Sequence, residues 1–160
     1  GAAVLVYLAA YTLMNIGAFA AVALFSESES EPHPISDLAG QGWRRPIVAL
    51  ALTVCLFSLA GVPPFFGFTG KFVVFRAAVN GGFVWLAVIG VVNSLISAFY
   101  YLRVVYVMYM QPEPRRAPAF GRAFSISWVA ALSAVGVVVL GLFPTPVLTA
   151  AQAAILNLVR

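Results

Sequence analysis

The stretch that decides the fold is Gly61-Val62-Pro63-Pro64-Phe65-Phe66-Gly67-Phe68-Thr69-Gly70-Lys71, in the middle of an apolar run over residues 47–79. Neither proline can donate a backbone hydrogen bond, their rings clash with the preceding turn, and the pair disfavours the α region for Val62. A regular α-helix therefore cannot pass through residues 61–68. A helix over the whole run would also be about 50 Å long, against about 30 Å of bilayer hydrocarbon.

This break allows two interpretations. In one, half-helices over 47–60 and 69–79 form one broken span joined by unwound backbone near the bilayer midplane. In the other, they form a tight hairpin of two short spans, each only about 20 Å long. The broken helix is favoured, with Thr69 as the cap of its second half. The residues expected to form or support the break are Gly61, Pro63, Pro64, Gly67, Thr69 and Gly70.

Composition places the break in a membrane protein. Of 160 residues, 62% are hydrophobic and 9% are charged, and the mean hydropathy is +1.00. So few charges cannot cover a soluble domain, which excludes a soluble enzyme, and the apolar bulk excludes a disordered tail. A single cysteine excludes a disulfide scaffold. The basic residues behind the net charge of +4 are scattered or lie at span ends, so they indicate the lipid bilayer, and not nucleic acid, as a partner.

Working outward from the break, the apolar runs predict one all-α domain, a polytopic transmembrane bundle of about four spans. The spans are expected at 2–25, 47–79, 83–110 and 123–143, with loops at 26–46 and 111–122 and a modestly amphipathic tail at 144–160. Lysine and arginine bias places the two long loops on the cytoplasmic side, or on the matrix side in an organelle. The chain begins at Gly1 inside an apolar run without a basic segment, so no signal peptide is predicted, and we expect a fragment of a longer polypeptide.

Lys71 is the residue most strongly expected to be functional. It lies about 12 Å of helix from the end of its half-helix, farther than its stem can comfortably reach to the interface. A cation at membrane depth costs about 2.5–3.5 kcal/mol, so such residues are by default functional. With Thr69 as cap, Lys71 would face the positive end of its own helix dipole, and this dipole and desolvation both favour the neutral amine. A proton relay is predicted, against a structural lysine paired with a carboxylate.

Other polar residues lie at membrane depth. Hydrogen bonding between helices is their usual role and lining a wet path is the second; the path candidates are Asn15, Asn93, Ser94, Ser97 and Arg103. Arg76 and Arg103 are close enough to helix ends to reach the interface, and the tyrosines are interpreted first as an interfacial belt. Every Asp and Glu lies in a loop, so compensation for Lys71 is expected from another subunit or from a missing part of the polypeptide. No metal-binding or nucleophile motif is present, and His33 is interpreted as solvated.

Residues 58–72, Ser-Leu-Ala-Gly-Val-Pro-Pro-Phe-Phe-Gly-Phe-Thr-Gly-Lys-Phe, resemble the S-L-x-G-[IV]-P-P-x-x-G-F-x-G-K-F signature of the antiporter-like membrane subunits of respiratory complex I. Segments 93–105, 11–19 and 35–40 are similar to the same family, so the resemblance covers nearly the whole chain. A lysine at position 71 is typical of one of these subunits, whereas sister subunits often have glutamate there.

The resemblance implies the C-terminal part of a fourteen-helix antiporter-like fold with two inverted repeats, each containing a broken helix. It also implies proton transfer through buried lysines and a glutamate, with Lys71 as the lysine of the second repeat. The other family residues would lie upstream, in a missing N-terminal part of the polypeptide. The implied location is the bacterial plasma membrane.

The resemblance further implies a subunit of NADH:quinone oxidoreductase without redox chemistry of its own. No cofactor is expected on this chain; NAD, flavin, iron–sulfur clusters and quinone would belong to partner subunits, and the direct partners would be other membrane-arm subunits. A subunit of a multi-subunit Na⁺/H⁺ antiporter is the first alternative, since it shares the fold. A structural membrane anchor is the second, but an anchor has no use for a mid-membrane lysine beside a proline break.

Overall fold

The apolar runs form α-helices in the computed structural model, which describes residues 1–25, 35–112 and 124–158. Every regular element within these ranges is helical, which confirms the predicted all-α class. The elements are α1 (Ala2–Ala23), a 3₁₀ turn (Ile35–Leu38), α2 (Gln41–Arg44), α3 (Pro46–Ala60), α4 (Phe66–Asn80), α5 (Val84–Met110), α6 (Phe124–Leu142) and α7 (Thr145–Leu158). Of these, α1, α5 and α6 are each long and apolar enough to cross a membrane.

The two helices on either side of the prolines, α3 and α4, lie end to end along α5. Gly90 in the first part of α5 packs against the Phe75 ring of α4. At the other end of α5, the Tyr109 ring meets Trp43, just before α3, with ring centroids 6.0 Å apart. Since the 27 residues of α5 extend over about 40 Å, the two contacts are far apart. The arrangement is that of a broken helix, and the hairpin interpretation is wrong.

The break itself is shorter than predicted. It begins at Gly61, whose φ of 90° is in the left-handed region that favours glycine, and it ends before Phe66, so it covers 61–65 and not 61–68. The prediction that Thr69 caps the second half-helix is wrong. Thr69 lies inside α4, and the cap position is taken by Phe65, which has no capping side-chain hydrogen bond. Once the two prolines have passed, nothing in the chain prevents the helix from resuming.

The segments predicted as loops and tail contain further helical structure. The 3₁₀ turn and α2 lie in the second half of the predicted loop 26–46; residues 26–34, including His33, are outside the described residues. Only residues 111 and 112 of the loop 111–122 are described. Within the predicted tail 144–160, residues Thr145–Leu158 form α7, with a proline in its first turn, where a missing backbone donor is tolerated. α7 packs back on the start of the chain, where Ile155 meets Gly1.

The centre of the bundle is α1, which packs against α3, α4, α6 and α7. Small residues allow these helices to approach closely, as is common in membrane bundles. Gly17 packs against the Cys55 sulfur of α3 and Ser133 of α6, and Gly70 of α4 packs against Ala10. The last contact brings α4, and with it Lys71, beside the N-terminal half of α1.

Candidate functional site

The side chain of Lys71 reaches back across the break to the end of α3. Its Nζ donates a hydrogen bond of 2.8 Å to the carbonyl oxygen of Leu59 and a longer one of 3.4 Å to that of Ala60. These are the last two residues of α3, whose terminal carbonyls have no partner within their own helix. Lys71 is half-buried, and both bonds lie at the break. The Lys71 side chain thus caps the C-terminus of α3.

This geometry corrects the expected electrostatics of Lys71. The sequence predicted that the amine faces the positive N-terminal end of α4. The amine instead faces the negative C-terminal end of α3, which favours an ammonium group. The prediction failed because it placed the start of α4 at Thr69, whereas the helix begins at Phe66 and Lys71 lies beyond its first turn. Part of the compensation for the charge therefore comes from this chain's own backbone.

A second hydrogen bond crosses the break in the opposite direction. The backbone N–H of Gly67, in the first turn of α4, donates to the Oγ of Ser58 in α3, at 2.9 Å. The Ser58 hydroxyl itself points its proton at the sulfur of Met14 in α1, at 3.3 Å. Ser58 is fully buried. The serine does for α4 what an N-cap side chain does, although it belongs to another helix.

A small polar cavity of about 170 Å³ lies beside Lys71, between α1, α5 and the two half-helices α3 and α4. Hydroxyl and amide groups make most of its surface polar. It is lined by Tyr7, Tyr11, Met14, Leu59, Lys71, Asn93, Ser94, Ser97 and Tyr101. The Ser97 hydroxyl donates to the backbone oxygen of Asn93, at 2.9 Å. A cavity of this size and polarity can hold several water molecules, each needing two to four polar partners.

Three of the predicted path residues, Asn93, Ser94 and Ser97, thus lie together with Lys71. The other two, Asn15 and Arg103, do not. They line a larger cavity of about 640 Å³ that also includes Asp37 and Tyr100. The amide of Asn15 donates to the backbone oxygen of Tyr11, at 2.7 Å, within its own helix. The predicted path is therefore divided between two cavities.

Tyr101 and Leu59 are the residues that line both cavities. The phenol of Tyr101 is the polar member of this pair, so it is the candidate connection between the Lys71 cavity and the cavity that contains Arg103 and Asp37. Arg103 also lines a third cavity of about 550 Å³, with Ser36, Tyr106 and Gln111. Arg103 is exposed on α5.

Sequence reasoning missed that three of the tyrosines line the cavity beside Lys71. Tyr7, Tyr11 and Tyr101 line the Lys71 cavity, and the first two stack with centroids 5.8 Å apart. The spacing of Tyr7 and Tyr11 was the available signal, because residues four apart share a helix face. Ser58 was missed as well; its partner lies across the break, and no local pattern predicts that contact.

The family described as NADH:quinone oxidoreductase/Mrp antiporter, transmembrane, matches residues 1–97. The chain belongs to this family. The matched part contains α1, α3, the break, α4 and the first half of α5. It therefore includes Lys71, Ser58 and three of the α5 residues of the small cavity, Asn93, Ser94 and Ser97, whereas Tyr101 lies beyond it. The resemblance found in the sequence motifs is confirmed.

Curated relatives in this antiporter family carry the name NADH-quinone oxidoreductase subunit N. The protein from Trichlorobacter lovleyi is 43% identical over 95% of this chain and 31% of its own length. Subunit N 2 from Roseiflexus castenholzii is 46% identical over 96% of this chain and 31% of its own length. The chain therefore spans about a third of the length of the curated relatives it matches.

Two solved structures share the antiporter-family fold. Respiratory complex I from Thermus thermophilus matches with a TM-score of 0.79 at 31% identity, over 90% of this chain and 33% of that one. The Mrp complex from Dietzia matches with a TM-score of 0.78 at 20% identity, over 94% of this chain and 37% of that one. The second likeness is one of fold alone. The predicted fold class, part of an antiporter-like membrane bundle, is confirmed.

Proposed function

We propose that the chain is part of a proton-translocating membrane subunit of an NADH:quinone oxidoreductase, and that Lys71 takes up and releases a proton during turnover. The observation that carries the proposal is the position of the Lys71 amine. It lies between the C-terminal carbonyls of α3 on one side and a polar cavity on the other. A cation held at a break in a membrane helix, beside space for water, has what a proton relay needs.

Two opposing effects act on the Lys71 amine. Removal from water disfavours the ammonium form, whereas the Leu59 and Ala60 carbonyls favour it. Because the two effects oppose each other, a modest change in the surroundings is enough to shift the lysine between its charge states. In the proposed mechanism a charge change in the neighbouring part of the membrane arm supplies that shift.

The proposed route to Lys71 runs through Tyr101. A proton enters the larger cavity, where Asp37 and Arg103 provide charged groups near the end of α5, and passes the Tyr101 hydroxyl into the small cavity. Asn93, Ser94 and Ser97 orient water between Tyr101 and the amine. Asn15 belongs to the entrance of this route and not to its inner part.

The direct partners in this proposal are the remainder of the subunit and the other membrane-arm subunits of the complex. NADH, flavin, iron–sulfur and quinone chemistry takes place in partner subunits, and this chain contributes proton movement alone. The proposed location is a bacterial plasma membrane, crossed several times, with the long loops on the cytoplasmic side. The broken helix α3–α4 would serve as one crossing and α1, α5 and α6 as the others.

A subunit of a multi-subunit Na⁺/H⁺ antiporter is the second candidate. The likeness to the Mrp complex supports it at the level of fold. The names of the relatives at 42–46% identity favour the oxidoreductase. Sodium dependence distinguishes the two: the proposed subunit acts only with NADH oxidation, whereas an antiporter exchanges Na⁺ for H⁺ in vesicles without NADH.

The test of the proposed function is Lys71→Ala in the full-length subunit within the assembled complex. Membrane vesicles that oxidise NADH are used to measure protons moved per electron transferred. A lower ratio at an unchanged amount of complex is expected. Arg76→Ala is the matched control, since Arg76 is a second cation on α4 that is exposed and lines neither cavity. An unchanged ratio in Lys71→Ala contradicts the relay and supports a structural lysine.

A further inference from the structure

We infer that Ser58 is a positioning residue for Lys71, acting through a pair of reciprocal caps across the helix break; the inference rests on the proposed function. Ser58 of α3 accepts the Gly67 N–H and so caps the start of α4. Lys71 of α4 donates to the Leu59 and Ala60 carbonyls and so caps the end of α3. Each half-helix supplies the group that the other half lacks.

The two caps are coupled by their spacing. Gly67 and Lys71 are four residues apart and lie on one face of α4, while Ser58 directly precedes Leu59 and Ala60 in α3. The bond from Gly67 to Ser58 therefore sets how far the first turn of α4 lies from the last turn of α3. That separation decides whether the lysine stem brings its amine within 2.8 Å of the Leu59 oxygen.

Ser58 is held in this role by its surroundings. A serine inside a helix commonly donates to the carbonyl one turn earlier in its own helix. The Ser58 hydroxyl instead donates to the Met14 sulfur of α1, which leaves its oxygen facing Gly67. Gly67 is required on the other side, because a Cβ there would run into the backbone carbonyl of Ser58. The serine and the glycine are thus fitted to each other.

The Ser58 hydroxyl thus affects proton transfer indirectly, through the position of Lys71, and does not itself carry the proton. When the hydroxyl is removed, the Gly67 N–H has no acceptor, the start of α4 shifts, and the amine no longer sits on both carbonyls. Lys71 then remains in the protein but leaves the position at which its charge is balanced.

The experiment uses the full-length subunit in the assembled complex and measures protons moved per electron in vesicles that oxidise NADH. Ser58→Ala is expected to lower the ratio towards the Lys71→Ala value, and Ser58→Thr, which keeps the hydroxyl, is expected to restore most of it. Ser133→Ala is the control for loss of a buried serine hydroxyl; Ser133 lies in α6 beside Gly17 and away from the break, and the wild-type ratio is expected.

The double variant separates positioning from a merely structural role. If Ser58 acts through Lys71, adding Ser58→Ala to Lys71→Ala leaves the ratio at the Lys71→Ala value. A further fall in the double variant, or a Ser58→Ala ratio equal to that of Ser133→Ala, overturns the inference. If the Lys71→Ala single variant keeps the wild-type ratio, the proposed function fails. This outcome is distinct from failure of the inference, which is measured on the Ser58 variants.

A second pair of variants covers the case in which Ser58→Ala prevents assembly. Ser58→Thr and Ser58→Val have nearly the same volume and differ in the hydroxyl. At equal amounts of complex, the inference requires a higher ratio for the threonine than for the valine. The inference is overturned if the two variants move the same number of protons per electron. It is also overturned if Ser58→Val lowers the amount of assembled complex but leaves the proton ratio unchanged.

Discussion

The Nζ of Lys71 lies 2.8 Å from the carbonyl oxygen of Leu59, the last residue but one of α3. The contact links the two halves of a broken helix through one cation. It also gives a charged side chain at membrane depth an acceptor within the same chain.

Gly61→Ala is expected to affect both stability and proton transfer. The φ of Gly61 is 90°, and an L-residue held there is destabilised by about 1–2 kcal/mol. A Cβ at this position would also lie 3.2 Å from Cδ and 3.5 Å from Nζ of Lys71, so the lysine must shift. The expected result is a lower melting temperature of the complex together with fewer protons per electron.

Gly82→Ala separates these two effects. The φ of Gly82 is 83°, close to that of Gly61, but a Cβ there meets nothing within 4 Å. It should show a similar loss of stability with an unchanged proton ratio. Equal proton ratios in the two variants would contradict the claim that Gly61 bears on Lys71.

Gly67→Ala is expected to be more damaging than an ordinary glycine substitution. The new Cβ would meet the backbone carbonyl of Ser58, which cannot move without shifting the end of α3. Overpacking of this kind typically costs about 1–3 kcal/mol. Gly136→Ala is the control, because its Cβ would meet the side-chain end of Leu13 at 3.2 Å, and that end can rotate away. Thermal unfolding of the purified complex measures both, and equal melting temperatures would contradict the close approach at Ser58.

Tyr101→Phe is expected to slow proton transfer while leaving the fold intact. The substitution removes one hydroxyl from the residue shared by the two cavities and keeps the ring that packs there. A positioned proton-transfer group contributes about 10²–10⁴-fold, and water can replace part of it, so a fall of about tenfold in the initial pumping rate is expected. Tyr106→Phe, which alters only the third cavity, is the control. Identical rates for the two variants would place the route elsewhere.

The fold followed from local rules that act within the chain itself. Two adjacent prolines interrupt a helix wherever they stand, and the apolar runs have to be buried in lipid or protein, so the break and the helices could be predicted. Gly61, which ends α3 in the left-handed conformation, follows the same kind of local rule, since glycine is favoured at that position. The start of α4 could not be predicted as well, because its cap, Ser58, comes from another helix nine residues away.

The site was predictable only in part, for a physical reason. The burial of Lys71 followed from its depth, but the direction of its side chain depends on how α4 is placed against α3, and the sequence does not contain that angle. The rotation of α1 and α5 about their axes decides which cavity a residue lines. Asn93 and Ser97 therefore lie with Lys71, whereas Asn15 and Arg103 lie in the next cavity.

The most direct test of the account is the proton-to-electron ratio of the complex with Lys71→Met, which keeps the length of the side chain and removes its charge. Vesicles are prepared with wild type, Lys71→Met, Lys71→Arg and Arg76→Met, at equal amounts of assembled complex and with NADH oxidation measured in parallel. The account predicts a reduced ratio for Lys71→Met and for Lys71→Arg, because arginine keeps a charge but does not release its proton, and a wild-type ratio for Arg76→Met. A wild-type ratio in Lys71→Met would contradict it.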